Sequence, residues 1–246
     1  LAENDGKNNL HSGPDVYQKR MWRVVENGDD HVTFLLHSPD GDQGYPGALD
    51  MKVTYTLDEE NGLTIHYEAV PDQDTVINMT NHSYFNLNGH KSGSVLHHRM
   101  QLLSDAFTPA DAQSIPTGEV CSVDGTPMDF RSTKELGAEI DAAYEPLILG
   151  NGYDHNWVLK NEGRFDKVAE VTGDESGIVM EVWTDRPGVQ VYTANFLENE
   201  AGRNGAVYQK RDAVCLETQN YPDAVHQKNF PEAICKKGET YDTKTA

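Results

Sequence analysis

The chain has 246 residues, with 40 acidic against 20 basic side chains and a formal net charge of −20. That balance argues against nucleic acid and anionic lipid as partners, because lysine and arginine must neutralise phosphates there, and leaves a neutral small molecule or a cationic partner. Hydrophobic residues make up 37% and the mean hydropathy is −0.65, yet no apolar run approaches the roughly 20 residues that span a bilayer, so no membrane partner is expected.

In chain order, Asn8-Asn9-Leu10-His11-Ser12-Gly13 offers a histidine that says little by itself. Ser38–Gly47 is rich in turn formers, and its Asp40-Gly41-Asp42 resembles part of a calcium loop but lacks the downstream glutamate. From Met51 to Leu57, Val53, Tyr55 and Leu57 alternate with Lys52, Thr54 and Thr56. After Asp58-Glu59-Glu60-Asn61-Gly62 the period of two resumes at Leu63, Ile65, Tyr67 and Ala69, which predicts a hairpin. Asn81–Leu87 reads as extended, followed by a long loop from Leu103 to Phe130. Ser132-Thr133-Lys134-Glu135 has capping-box spacing and predicts a short helix from about Thr133 to Ile140. Strands are expected at Ile178–Val182, Gly188–Phe196 and Asp212–Gln219, with a turn at Asn199–Gly205 and a final loop at Asn220–Glu232. The fold class is all-β and mostly antiparallel, and no composition shift marks a linker, so one domain over 1–246 is expected.

Cys121, Cys215 and Cys235 are odd in number and widely spaced. No pair has zinc-ribbon or redox spacing, so they read as free structural thiols, which favours a reducing, cytoplasmic compartment. His97-His98 lacks a third ligand at readable spacing, so no metal is expected there. The chain contains no P-loop, no G-x-G-x-x-G and no G-x-S-x-G, and no cofactor is expected.

The residues with chemical promise lie elsewhere. In an extended Asn81–Leu87, His82, Tyr84 and Asn86 share a polar face while Ser83, Phe85 and Leu87 face the other way. His82 can hold or release a proton near neutral pH, although a histidine in such a run is also often structural. Glu217 shares a face with Cys215 and Gln219; it is either a solvated surface carboxylate or, if buried, a base with a raised pKa. Gln190 and Tyr192 form a third polar pair suited to sugar hydroxyls. Gly152-Tyr153-Asp154-His155-Asn156-Trp157 packs a carboxylate beside an aromatic, read either as a sugar contact or as a turn capped by Asp154 with Trp157 in the core.

Taken together, Asn9–Gly13, Asp40–Gly47, Asn81–Leu87, Ile115-Pro116-Thr117-Gly118, Asp129-Phe130-Arg131, Gly152–Trp157 and Leu216–Ala224 resemble the aldose 1-epimerases, or galactose mutarotases, along essentially the whole chain. The resemblance implies a large antiparallel β-sandwich and cofactor-free exchange of the α and β anomers of an aldose such as galactose or glucose, in a monomer or weak dimer. It implies that Glu217 is the general base on the anomeric hydroxyl and His82 the general acid on the ring oxygen. It assigns His11, Asp154 and Gln190 to holding the sugar, with Tyr84 placed by its share in the His-Ser-Tyr block. Such proteins usually carry an upstream Gly-Arg-x-x-Asn-Arg-Ile type segment whose Asn and Arg contact the sugar, and a closing C-terminal strand. Neither is expected in this chain, so weak turnover is anticipated. The competing readings are a non-catalytic sugar-binding β-sandwich and a hexose-6-phosphate 1-epimerase, the latter disfavoured because the readable motifs are acidic or neutral.

Overall fold

A computed structural model describes residues 1–246, and nearly all of its regular structure is antiparallel strand. The chain gathers into two units, Leu1–Met79 with Ala233–Ala246, and Thr80–Glu232.

The first unit opens as a meander of β1 (Arg23–Asn27), β2 (His31–Ser38), β3 (Leu49–Leu57) and β4 (Leu63–Pro71), followed by the short β5 (Thr75–Val76). The β3–β4 hairpin is the expected one. Its register pairs Leu57 with Leu63 and runs to Leu49 opposite Pro71. In the turn, the Asp58 carboxylate accepts the N–H groups of Glu60 and Gly62, while Asn61 takes the left-handed φ of 66° that asparagine tolerates. Alternation delivers Leu36, Met51, Ile65, Tyr67 and Ala69 to one apolar cluster. Tyr55 and Leu57 continue the period of β3 but lie exposed.

The second unit contains β6 (Arg99–Leu102), β7 (Ala106–Thr108), β8 (Cys121–Ser122), β9 (Lys134–Glu135), α1 (Glu145–Leu149), β10 (Asp154–Val158), β11 (Asp166–Thr172), β12 (Val179–Thr184), β13 (Gly188–Tyr192), β14 (Glu200–Ala201), β15 (Val207–Tyr208) and β16 (Cys215–Gln219). One of its sheets runs β12–β11–β6–β9 and another β16–β13–β10–β7–β8, with β14–β15 as a small hairpin. Phe107, Trp157, Val189, Val191 and Leu216 from the second of these meet Met100, Leu102, Val171 and Val182 from the first in one buried cluster. Each such side chain withdrawn from water contributes about 1.5–3 kcal/mol, which makes this two-sheet sandwich the rigid base of whatever lies on the opposite face. The chain then returns to the first unit with β17 (Ile234–Cys235) beside β5 and β18 (Tyr241–Thr245) beside β4.

Three local expectations are corrected. No helix forms over 133–140. Lys134–Glu135 pairs with β6, the N–H of Leu136 goes to the His98 carbonyl, and Leu136 and Ile140 are buried, so tertiary packing overrides the capping-box pattern. The only α-helix is Glu145–Leu149, with proline at its start. The stretch Leu103–Phe130 is not all loop, since it contributes β7 and β8. A closing strand is present as well. Tyr241, Thr243 and Thr245 point inward and alternate with exposed Asp242 and Lys244 along β18.

Candidate active site

Strand register builds the candidate site. Thr108, Asn156, Gln190 and Glu217 stand side by side across β7, β10, β13 and β16, and the adjacent row is Asp154, Tyr192 and Cys215. The alternate residues Phe107, Trp157, Val189, Val191 and Leu216 go to the core, so period two alone makes this face polar. The next position in the β13 row is Gly188. A Cβ there would sit 2.2 Å from Asn156 Oδ1 and 2.9 Å from the Tyr221 ring, so only glycine keeps this part of the face open.

The polar face is not solvated like an ordinary surface. Glu217 is only 7% exposed. Burial, and then the nearby charge of Asp154, push its carboxyl up to about 8. Burial also raises Asp154, opposed by the hydrogen bond that Gln190 Nε2 donates to Asp154 Oδ1 at 2.8 Å. The amide oxygens of Gln190 and Asn156 are buried without a hydrogen-bond partner. A face with one buried and one half-buried carboxyl and two unsatisfied acceptors is costly unless a polar ligand or water satisfies it.

His82 comes to this face from a different segment. Asn81–Leu87 forms no continuous strand; its bridge is Phe85 with Val214, at 2.9 and 3.0 Å. The His82 ring nevertheless brings Nε2 to 3.6 Å from Glu217 Oε1. It stacks on Tyr84 with centroids 5.0 Å apart and meets the edge of Tyr192 at 6.0 Å. Burial, reinforced by the acidic groups around it, raises the Tyr84 phenol well above its ordinary value and keeps it a hydroxyl donor. Asn86 does not join this face. Its amide is spent on the carbonyls of Gly93 and Asp212.

Comparison with known proteins places the chain. The family described as aldose 1-epimerase matches residues 1–246. The chain belongs to the aldose 1-epimerase family. It is 46% identical over 248 residues to the galactose mutarotase of Homo sapiens and 45% identical to that of Sus scrofa, covering 100% of this chain and 70% of each relative. It is 38% identical to the aldose 1-epimerase of Escherichia coli K12, covering 71% of that protein. Among solved structures, an aldose epimerase homologue from C. elegans superposes with a TM-score of 0.88 at 28% identity, covering 98% of this chain and 72% of that one. The galactose 1-epimerase of Lactobacillus acidophilus NCFM gives 0.84 at 27%, covering 98% and 70%. The all-β antiparallel fold is therefore that of the aldose 1-epimerases, a family of isomerases.

Within this aldose 1-epimerase fold, the residues singled out in the sequence divide clearly. Glu217, His82, Tyr84, Asp154 and Gln190 meet on the second unit's polar face. His11 belongs to the first unit, exposed in a turn with φ of 50°. Asp154 caps no turn; it lies in β10 with its carboxylate held by Gln190. Trp157 is a core residue whose Nε1 donates to the Met128 carbonyl, so the carboxylate and the aromatic of that motif serve different faces. Burial lowers His155 to about 4, so it stays a neutral packing residue against Phe107 and Trp157. Gly152, at φ 127°, leaves room for the Arg211 guanidinium, which would be 2.1 Å from a Cβ there. His97 and His98 take separate partners, Glu135 and Asp174. Thr108 and Cys215 were not read from the sequence as part of the site. Thr108 sits in a three-residue strand too short to show alternation, and Cys215 reads as an ordinary structural thiol.

Proposed function

We propose that this chain interconverts the α and β anomers of an aldohexose of the galactose or glucose class, with Glu217 as general base and His82 as general acid. The observation that carries the reading is the pair itself, a buried carboxyl near pKa 8 with an imidazole nitrogen 3.6 Å away, contributed by two segments far apart in the chain.

The chemistry balances without a covalent intermediate. Glu217 takes the proton from the C1 hydroxyl, the C1–O5 bond breaks as C1=O1 forms, and His82 delivers a proton to O5. The open aldehyde turns about C1–C2. Glu217 then returns its proton to O1 while His82 recovers one from O5, and the ring closes on the other carbonyl face. A base near pKa 8 is matched to this task, because it is basic enough to pull a hydroxyl proton and still part-ionised at neutral pH. Asp154, held by Gln190, and the unsatisfied Gln190 oxygen are suited to the remaining sugar hydroxyls, and Tyr84 adds an aromatic wall with a donor hydroxyl. No arginine or lysine occupies the rows from Thr108 to Glu217 and from Asp154 to Cys215, which disfavours a hexose 6-phosphate.

The test is polarimetry on freshly dissolved α-galactose and α-glucose. The chain should accelerate the approach to anomeric equilibrium, and Glu217→Gln and His82→Asn should abolish that acceleration while folding normally. Sugar binding with no acceleration by the unaltered chain would instead establish a binding module.

A further inference from the structure

His98 has no part in the proton transfer described above, yet it is 0% exposed and both ring nitrogens are engaged. The backbone N–H of Leu87 donates to Nε2 at 3.0 Å. Nε2 must therefore offer a lone pair, and the ring proton of the neutral imidazole resides on Nδ1, 3.1 Å from Asp174 Oδ1. Asp174 is held in turn by Asn88 Nδ2 at 3.0 Å, and Asn88 Oδ1 accepts the N–H groups of Glu175 and Ser176. The Asn88 N–H is itself taken by Asn86 Oδ1. The β11–β12 turn, the start of β6 and the end of the His82 segment are thus tied together through one imidazole.

We propose that His98 is a positioning residue for His82. The segment from His82 to Leu87 is joined to its strand neighbour by a bridge at Phe85, and it carries the acid at one end and the Leu87 amide at the other. Fixing Leu87 from a buried ring fixes the angle at which the segment leaves that bridge, and with it the place of the His82 ring against Tyr84 and Glu217. The Asp174 carboxylate locks the tautomer that makes this possible; an Nε2–H imidazole would face the Leu87 N–H donor to donor. The proposal rests on the reading of His82 as the general acid.

The first test needs no variant. Nitrogen-15 spectra of the imidazoles in the intact chain should show His98 as the neutral Nδ1–H form, with a slowly exchanging Leu87 amide. An Nε2–H form, or free exchange at Leu87, overturns the proposal whatever the chain catalyses. The second test compares His98→Gln, whose amide oxygen reaches the Leu87 N–H, with His98→Asn, which is too short to do so. His98→Asn should lower kcat about tenfold or more with KM within about twofold, shift the His82 ring resonances and speed Leu87 exchange, because misplacing a catalytic group costs rate rather than binding. His98→Gln should restore kcat to within about threefold of the parent. Equal losses in both variants, or a rise in KM with kcat unchanged, overturn it. If the intact chain exchanges no anomers at all, the catalytic reading fails by itself, and the His82 resonances with Leu87 exchange still decide the role of His98.

Discussion

Two five-stranded antiparallel arrays in this molecule obey the same period of two and end with opposite properties. In the first unit, β1–β2–β3–β4–β18 aligns Lys52 with Glu68 and Asp242, and Thr54 with His66 and Lys244. These groups are exposed or half-buried, and the 2.8 Å contact of His66 with Asp242 is a surface pair worth little. In the second unit, β16–β13–β10–β7–β8 aligns Thr108, Asn156, Gln190 and Glu217, and there burial raises a carboxyl to about 8. Alternation makes a polar face in both cases. Withdrawal from water, with the neighbouring charge of Asp154, gives only one of them a carboxyl of raised pKa, because a carboxylate grows more basic where its charged form is poorly solvated or faces a like charge.

The contrast can be broken at several points. Its largest consequence is kinetic: Glu217→Gln or His82→Asn should each lower the catalysed anomer-exchange rate by roughly 10²–10⁴-fold, measured by polarimetry, with circular dichroism unchanged. On the other side of the same sheet, Trp157→Ala should cost about 3–5 kcal/mol in a denaturant titration, since it empties the core beneath the site.

A smaller effect separates the two carboxyls. The base works only when deprotonated and the acid only when protonated, so the ionisation of Glu217 should place one limb of the pH–rate profile near pH 8, and Asp154→Asn should move that limb to lower pH by removing the neighbouring charge. A limb that stays in place would mean that burial alone sets the value, and kcat/KM in a pH series distinguishes the two.

The same group affects stability with a definite sign. The folded-state pKa of Glu217 lies above its ordinary value of 4.5, so its favourable contribution is complete below that value and lost as pH rises through about 8. Glu217→Gln should therefore gain stability relative to the parent on going from about pH 4 to about pH 9. Smallest of all, Glu68→Ala on the solvated row should change stability by no more than about 0.5 kcal/mol, and a larger loss would erase the distinction between the two sheets.

Much of this was legible from residue order. The Leu57–Leu63 hairpin followed from alternation interrupted by Asp58–Gly62, and the shared face of Cys215, Glu217 and Gln219 followed from strand periodicity alone. His82 and Glu217 stood out because a titratable imidazole and a lone carboxylate occupied otherwise uncharged runs. The failures have two causes, tertiary partners that override a local pattern and elements too short to show one. A capping-box spacing predicted a helix at Thr133–Ile140, but backbone donors there are claimed by His98 and Leu96, and Leu136 is pulled into the core. Asn86 matched the polar side of its segment and was taken by two distant carbonyls. Thr108 was hidden because a three-residue strand gives no period to read.

By itself, then, the sequence determined strand periodicity and the identity of the acid and base candidates, since these depend on residue type and local spacing, and its ordered motifs carried the resemblance to a β-rich sugar-converting family. Only the tertiary structure decided which polar face is dry, that Asp154 is near enough to raise Glu217, and that His98 and Asp174 brace the His82 segment. Desolvation, register between distant strands and hydrogen bonds across many intervening residues arise only when the chain is folded, so no local pattern could have announced them.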